Sequence, residues 1–197
     1  MQESTYKKST QALNYLARKK GGKINKMKAI KLIYLADRLH LRKYGRPIVG
    51  DVYWAMKLGP VGSETKRVAE LDVSGVVLAY AHKYLQPTDE KKQYIASRKE
   101  VDTTLFSETD LECLESIYTA YGDMDQFELA EITHGYSEWK KHEPELRAGK
   151  KRVQMQYGDF FADLNKNDVI FAQKDSALAL AKEAYAESVN ITTFFAH

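Results

Sequence analysis

The sequence predicts a mainly α, α+β fold: a compact helical domain around a central buried helix at about 26–44, with a small β-hairpin or short antiparallel sheet beside it. Three observations predict it. Residues 27–44 carry Leu, Ile and Ala at helical spacing, bracketed by Asn25, a good N-cap, and Gly45, a good stop, with Pro47 two residues on. Short runs rich in Tyr, Val and Ile at 52–56, 76–85 and 93–97 are separated by turn residues. At 197 residues the chain can bury a real hydrophobic core, and its one cysteine, Cys113, rules out an internal disulfide.

The elements follow in order. Residues 6–20 form a basic helix that Gly21-Gly22 breaks, and 27–44 form the next. Residues 52–56 are a short strand that Gly59-Pro60 ends, and Ser63 caps a helix through Leu71. Residues 76–85 and 93–97 make a hairpin across the polar turn 86–92. Ser107 with Asp110 forms a capping box, with Asp in place of the usual Glu, that opens a helix to about Tyr121. Another helix spans 125–134 and stops at Gly135. Residues 137–147 are polar around Trp139, and Leu178, Ala181, Ala184 and Tyr185 lie at helical spacing within 175–189. Two units are expected: a domain over 1–149 and a C-terminal extension over 150–197 whose amphipathic helix packs on the domain or on a partner.

Net charge is only +3, but the charge is unevenly placed. Residues 1–50 hold 13 Lys/Arg against 2 Asp/Glu, and residues 51–197 hold 17 against 25. Such polarity suits nucleic acid, an acidic partner, or two halves that attract each other within one fold. The first residues are polar, and no apolar run approaches the roughly 18 residues of a membrane span. A cytoplasmic protein is expected.

On a helical wheel the central helix divides into two faces. Lys28, Lys31, Arg38 and Arg42 fall within about 80° as one basic stripe. Met27, Ile30, Ile33, Tyr34 and Leu41 gather opposite, with Asp37 among them. A solvated helix face, an acidic partner surface and nucleic acid all remain open for the stripe. A carboxylate at Asp37 would be desolvated and needs donors. Candidates are backbone N–H groups around Gly59-Pro60-Val61, the imidazole of His134, and the indoles of Trp54 or Trp139. Orientation of a neighbouring loop, a partner contact and a catalytic carboxylate paired with His134 are its three readings. Phe194 and Phe195, expected beyond the last helix, would pack back on the domain or anchor a partner.

Other chemistry is poorly represented. The five histidines show no HxxxH or HxH spacing, so no metal is expected, and no cofactor. Cys113 sits among Leu111, Leu114 and Ile117 as a small buried thiol. No Gly-x-Ser-x-Gly elbow or Cys/His pairing marks a hydrolase, and no zinc finger or RRM motif favours nucleic acid.

Three stretches then stand out together. The first is Lys31-Leu32-Ile33-Tyr34-Leu35-Ala36-Asp37, followed by Leu39-His40 and Tyr44-Gly45-Arg46-Pro47-Ile48. The second is Trp54 through Gly59-Pro60-Val61, and the third is 129–139 with Thr133-His134 and Trp139. In order and spacing they resemble the Panacea domain, the family that includes the SocA-type proteolytic adaptor antitoxin and phage-associated relatives. Gly62-Ser63-Glu64-Thr65 stands where that family commonly shows an aromatic or proline-bearing stretch, and 150–197 match nothing in it. The resemblance implies a non-enzymatic antitoxin, encoded beside a toxin and neutralising it by direct contact. Related members deliver a toxin to a ClpXP-type protease, and some oppose translation-inhibiting toxins, including alarmone-synthetase-like enzymes. Asp37, Trp54, Gly59, Pro60, Val61, His134 and Trp139 are then a structural motif. Lys28, Lys31, Arg38, Arg42, Phe194 and Phe195 are the partner-binding candidates, and a nucleic-acid-binding autoregulator using the basic stripe is the alternative.

Overall fold

The computed structural model describes residues 3–88, 92–162 and 168–195, with 192–195 described by backbone alone. Helix α1 (Glu3–Lys19) is followed by Gly21 and Gly22, both at positive φ, and by a short strand β1 (Lys23–Asn25). Helix α2 (Lys26–Tyr44) begins as its sequence requires: the Asn25 side-chain oxygen accepts from the Lys28 N–H at 3.1 Å. It ends as required too. Gly45 takes φ 71° and returns its N–H to the Leu41 carbonyl.

Strands β2 (Tyr53–Met56) and β3 (Gly59–Gly62) form an antiparallel hairpin with Trp54 opposite Val61 and Ala55 opposite Pro60. Gly59-Pro60 therefore opens a second strand instead of ending the first. Helix α3 (Ser63–Glu70) has Gly62 as its N-cap, and its free amides are met from a distance. Asp51 accepts from Glu64 N–H at 2.9 Å and from Thr65 N–H at 2.7 Å.

Residues 76–85 were expected as a strand, yet helix α4 spans Gly75–Tyr84. Its half-buried Val77 and Tyr80 and buried Ala81 and Tyr84 lie at i, i+3, i+4 and i+7, so a helical stripe packs on α1. The hairpin shrinks to β4 (Leu85–Pro87) and β5 (Tyr94–Ser97), with β5 also pairing β1 in the order β1-β5-β4.

Helices α5 (Glu108–Tyr121) and α6 (Gln126–His134) both open on reciprocal capping boxes, Ser107/Asp110 and Asp125/Glu128. Short helices α7 (Ser137–Lys140) and α8 (Glu143–Arg147) lead to β6 (Arg152–Gln154), which joins the second sheet in the order β3-β2-β6. The edge position of β3 tolerates Pro60, since no outer neighbour needs its N–H. Helix α9 runs Asp175–Phe195, so the C-terminal segment expected beyond the helix continues it.

Helix α2 is enclosed on all sides. Helices α1, α3, α5, α6 and α9 and strand β3 pack around it, and every residue from Lys28 to Arg42 is buried. Residues beyond 149 feed the same core: β6 pairs with β2, and Phe160, Phe161, Phe171 and Ala181 pack into it. Gly45 is where α9 closes on α2, because a Cβ there would stand 2.5 Å from the Ala181 carbonyl oxygen.

Candidate partner-binding cleft

Asp37 is a buried organiser, but its partners are not those expected. Its Oδ1 accepts from the Ile48 and Val49 N–H groups, both at 2.9 Å, and its Oδ2 from the Tyr53 hydroxyl at 3.0 Å. It thereby pins the chain that leaves α2 to strand β2. Burial raises its carboxyl to about 6 against the pull of these donors. His134 and Asp37 are not brought together as a catalytic pair: His134 stacks on Trp139 at 4.0 Å between ring centroids. The Trp139 indole N–H donates to the Met56 carbonyl at 2.9 Å, and half-buried Trp54 lies under the Arg152 guanidinium.

The basic stripe is corrected outright. Lys28, Lys31, Arg38 and Arg42 are 6%, 1%, 0% and 2% exposed, because helices close over that face of α2 as well. Each finds internal acceptors. Lys28 Nζ donates to the Gly122 and Met124 carbonyls beyond α5, as a cation at a helix C-terminus should. Arg42 donates to the carbonyls of Phe160, Ala162 and Phe171. Arg38 Nε donates to Glu138 Oε1 at 2.6 Å, with the guanidinium against both the Tyr136 and Phe171 rings. The stripe ties α2 to the second half of the chain. The side chains of Phe194 and Phe195 lie outside the described residues.

Lys31 differs from the other three. Its Nζ donates to the Pro60 carbonyl at 2.8 Å, and among the described residues no carboxylate lies within ion-pair distance of it. Burial alone pushes its ammonium down to about 7. Gly59, at φ 90°, makes this approach possible: a Cβ there would stand 2.7 Å from Lys31 Nζ and 2.5 Å from Thr133 Oγ1. Gly59 and Pro60 of the motif therefore seat the hairpin on α2 and α6, with Val61 half-buried beside them.

Above Lys31 opens a cleft of about 760 Å³ between the start of α2, the β2–β3 turn and the first turn of α6. Its apolar lining includes Met27, Ile30, Met56, Leu58, Val61 and Phe127. Leu58 and Phe127 are 48% and 58% exposed. Around them stand Lys26, Lys57, Lys66, Lys92 and Lys151, and among the described residues Glu70 is the one acid in the lining. Glu70 is taken by Lys66 at 2.6 Å. Among the described residues no carboxylate pairs with Lys57, Lys92 or Lys151, all three exposed. Neither Leu58 nor Phe127 stands out in the sequence as a binding residue. The signal available was an apolar side chain at a turn tip and another in a capped first turn, where polar residues are the norm.

Among the described residues no group of three or more His, Cys, Asp or Glu side chains is placed to hold a metal. Burial pushes the Cys113 thiol up to about 12, so it stays protonated near neutral pH. Among the same residues no helix is long and apolar enough to cross a membrane.

A family model described as "Antitoxin SocA-like, Panacea domain" matches residues 30–140, more than half of the chain. The chain belongs to this family. Its Panacea domain thus runs from the second turn of α2 through α7, taking in Asp37, the Gly59-Pro60 hairpin and both partners of the Arg38–Glu138 pair. Helix α1, strand β6 and helix α9 lie outside the matched span, though they pack on it. Family membership supports an antitoxin role. Neither the curated proteins nor the solved structures compared with the chain give a match.

Proposed function

We propose that this protein neutralises a cognate protein toxin by direct binding, without catalysis, and that the cleft over the start of α2 is the docking face. The supporting observation is the exposure of Leu58 and Phe127 across an open, mostly apolar cleft in a member of an antitoxin family. Exposed aromatic and aliphatic side chains around a concave apolar surface are the usual anchors of protein association. Nucleic-acid binding through the α2 stripe has no surface to use, since its four side chains are buried.

The proposal is tested by co-expressing the chain with the product of the adjacent gene. The expected result is relief of growth arrest together with co-purification of the two proteins. Growth arrest that persists, with no complex recovered, would sink the reading.

A further inference from the structure

The cleft carries more information than its apolar lining, because its charges are incomplete. Lys57 sits at the β2–β3 turn, Lys92 before β5 and Lys151 beside β6, so three separate segments deliver lysines to one opening. None of the three pairs with a carboxylate among the described residues. Elsewhere on the surface Lys7, Lys19, Lys20, Lys43, Lys141 and Lys150 each hold an acidic partner within 4 Å. Lys23, Lys83, Lys99, Lys140, Lys174 and Lys182 are exposed and also hold no carboxylate among the described residues, so what sets the cleft apart is that three such lysines from separate segments line one apolar opening.

A second, independent observation points the same way. Lys31 lies under the opening, 1% exposed, with a carbonyl as its acceptor and no counter-charge. Burying an ammonium this way is unfavourable unless something compensates it. An anion seated in the cleft would favour the protonated form of this lysine.

From this charge pattern, and resting on the reading of the cleft as the toxin-docking face, we infer that the occupant is an acidic segment of the toxin. It sets an apolar side chain between Leu58 and Phe127 and places carboxylates against Lys57, Lys92 and Lys151. A phosphate backbone satisfies the lysines but leaves the apolar floor uncovered, and a purely apolar segment leaves the lysines unanswered. An acidic segment with an apolar anchor meets both.

The test uses the full chain and the purified product of the adjacent gene. Lys57→Glu/Lys151→Glu changes exposed side chains and leaves the core intact. At low salt it is expected to weaken binding roughly 10- to 100-fold and to abolish the salt dependence shown by the wild type. A photo-crosslinking residue in place of Leu58 is expected to capture a toxin peptide of net negative charge. If the wild type binds while the charge reversal binds equally well, or the captured peptide is neutral or basic, the inference is overturned and toxin binding stands. Crosslinking of the Leu58 position to nucleic acid would overturn it as well. If the wild type itself does not bind, the failure belongs to the docking reading.

Discussion

Arg38 and Glu138 form an ion pair from which solvent is wholly excluded: Nε stands 2.6 Å from Oε1 and both side chains are 0% exposed. The same oxygen accepts from the Tyr34 hydroxyl at 2.6 Å. One hundred residues separate the partners, so the pair locks α2 to α7 across the length of the matched domain. Buried pairs of this kind gain little over apolar packing but are costly to break from one side.

Glu138→Ala is therefore expected to lower the unfolding free energy by about 3–5 kcal/mol, since the guanidinium stays buried without its counter-charge. Arg38→Met/Glu138→Leu should recover most of that loss. Urea denaturation of the three proteins measures the difference, and equal damage from the single and double changes would deny the pair its coupling.

Asp37 gives stability a pH signature. Its carboxyl titrates at about 6 when folded, above the ordinary value of about 3.9. The folded state then holds the proton more tightly than the unfolded state. Its contribution is full below about pH 4 and is lost as pH rises through about 6. Against Asp37→Asn, which keeps an oxygen for the Ile48 and Val49 N–H groups, the wild type should lose about 2–3 kcal/mol of relative stability across that window. Asp37→Ala strands three donors and should cost about 2–4 kcal/mol near pH 4, where the wild type is most favoured, and less above pH 6.

Lys31 has the opposite sign. Its ammonium titrates at about 7 when folded, below the ordinary value of about 10.4, so the unfolded state holds that proton more tightly. Stability from this group rises with pH above about 7, and the full penalty is present below it. Lys31→Met should raise stability at pH 6 by about 1–3 kcal/mol and flatten the slope between pH 7 and 9, by thermal or urea unfolding. Destabilisation at pH 6 would show that the charge is better accommodated than its surroundings imply.

Gly45 and Gly21 separate backbone strain from collision. Both take positive φ, but a Cβ at Gly45 meets the α9 backbone while one at Gly21 meets nothing within 4 Å. Gly21→Ala should cost about 1 kcal/mol. Gly45→Ala should cost more and speed amide exchange around Ala181–Tyr185; equal effects would mean that α9 is not held at this point.

What the sequence disclosed was local or periodic. Asn25 and Gly45 bound α2 because caps act within a few residues, and the wheel placed Asp37 on a buried face because the helix repeat is regular. What it could not disclose was long-range. The wheel sorts residues onto faces without saying what covers a face, so Lys28, Lys31, Arg38 and Arg42 read as a surface although Gly122, Pro60, Glu138 and Phe160 wait inside for them. The donors to Asp37 depend on how the chain reverses after Gly45. Val77, Tyr80, Ala81 and Tyr84 satisfied helical spacing within a run whose composition favoured a strand. The cleft is the least legible feature, since Leu58, Phe127, Lys92 and Lys151 meet only once the chain has folded around α2.

The cleft is also where the account is most exposed to contradiction. Titration calorimetry of the adjacent gene's product against the wild type and against Leu58→Asp/Phe127→Asp tests it most directly, with thermal melts confirming that both proteins are folded. Binding by the wild type and a loss of about 30-fold or more in the double variant is the predicted result. Equal affinity of the two would place the docking face elsewhere and contradict the account.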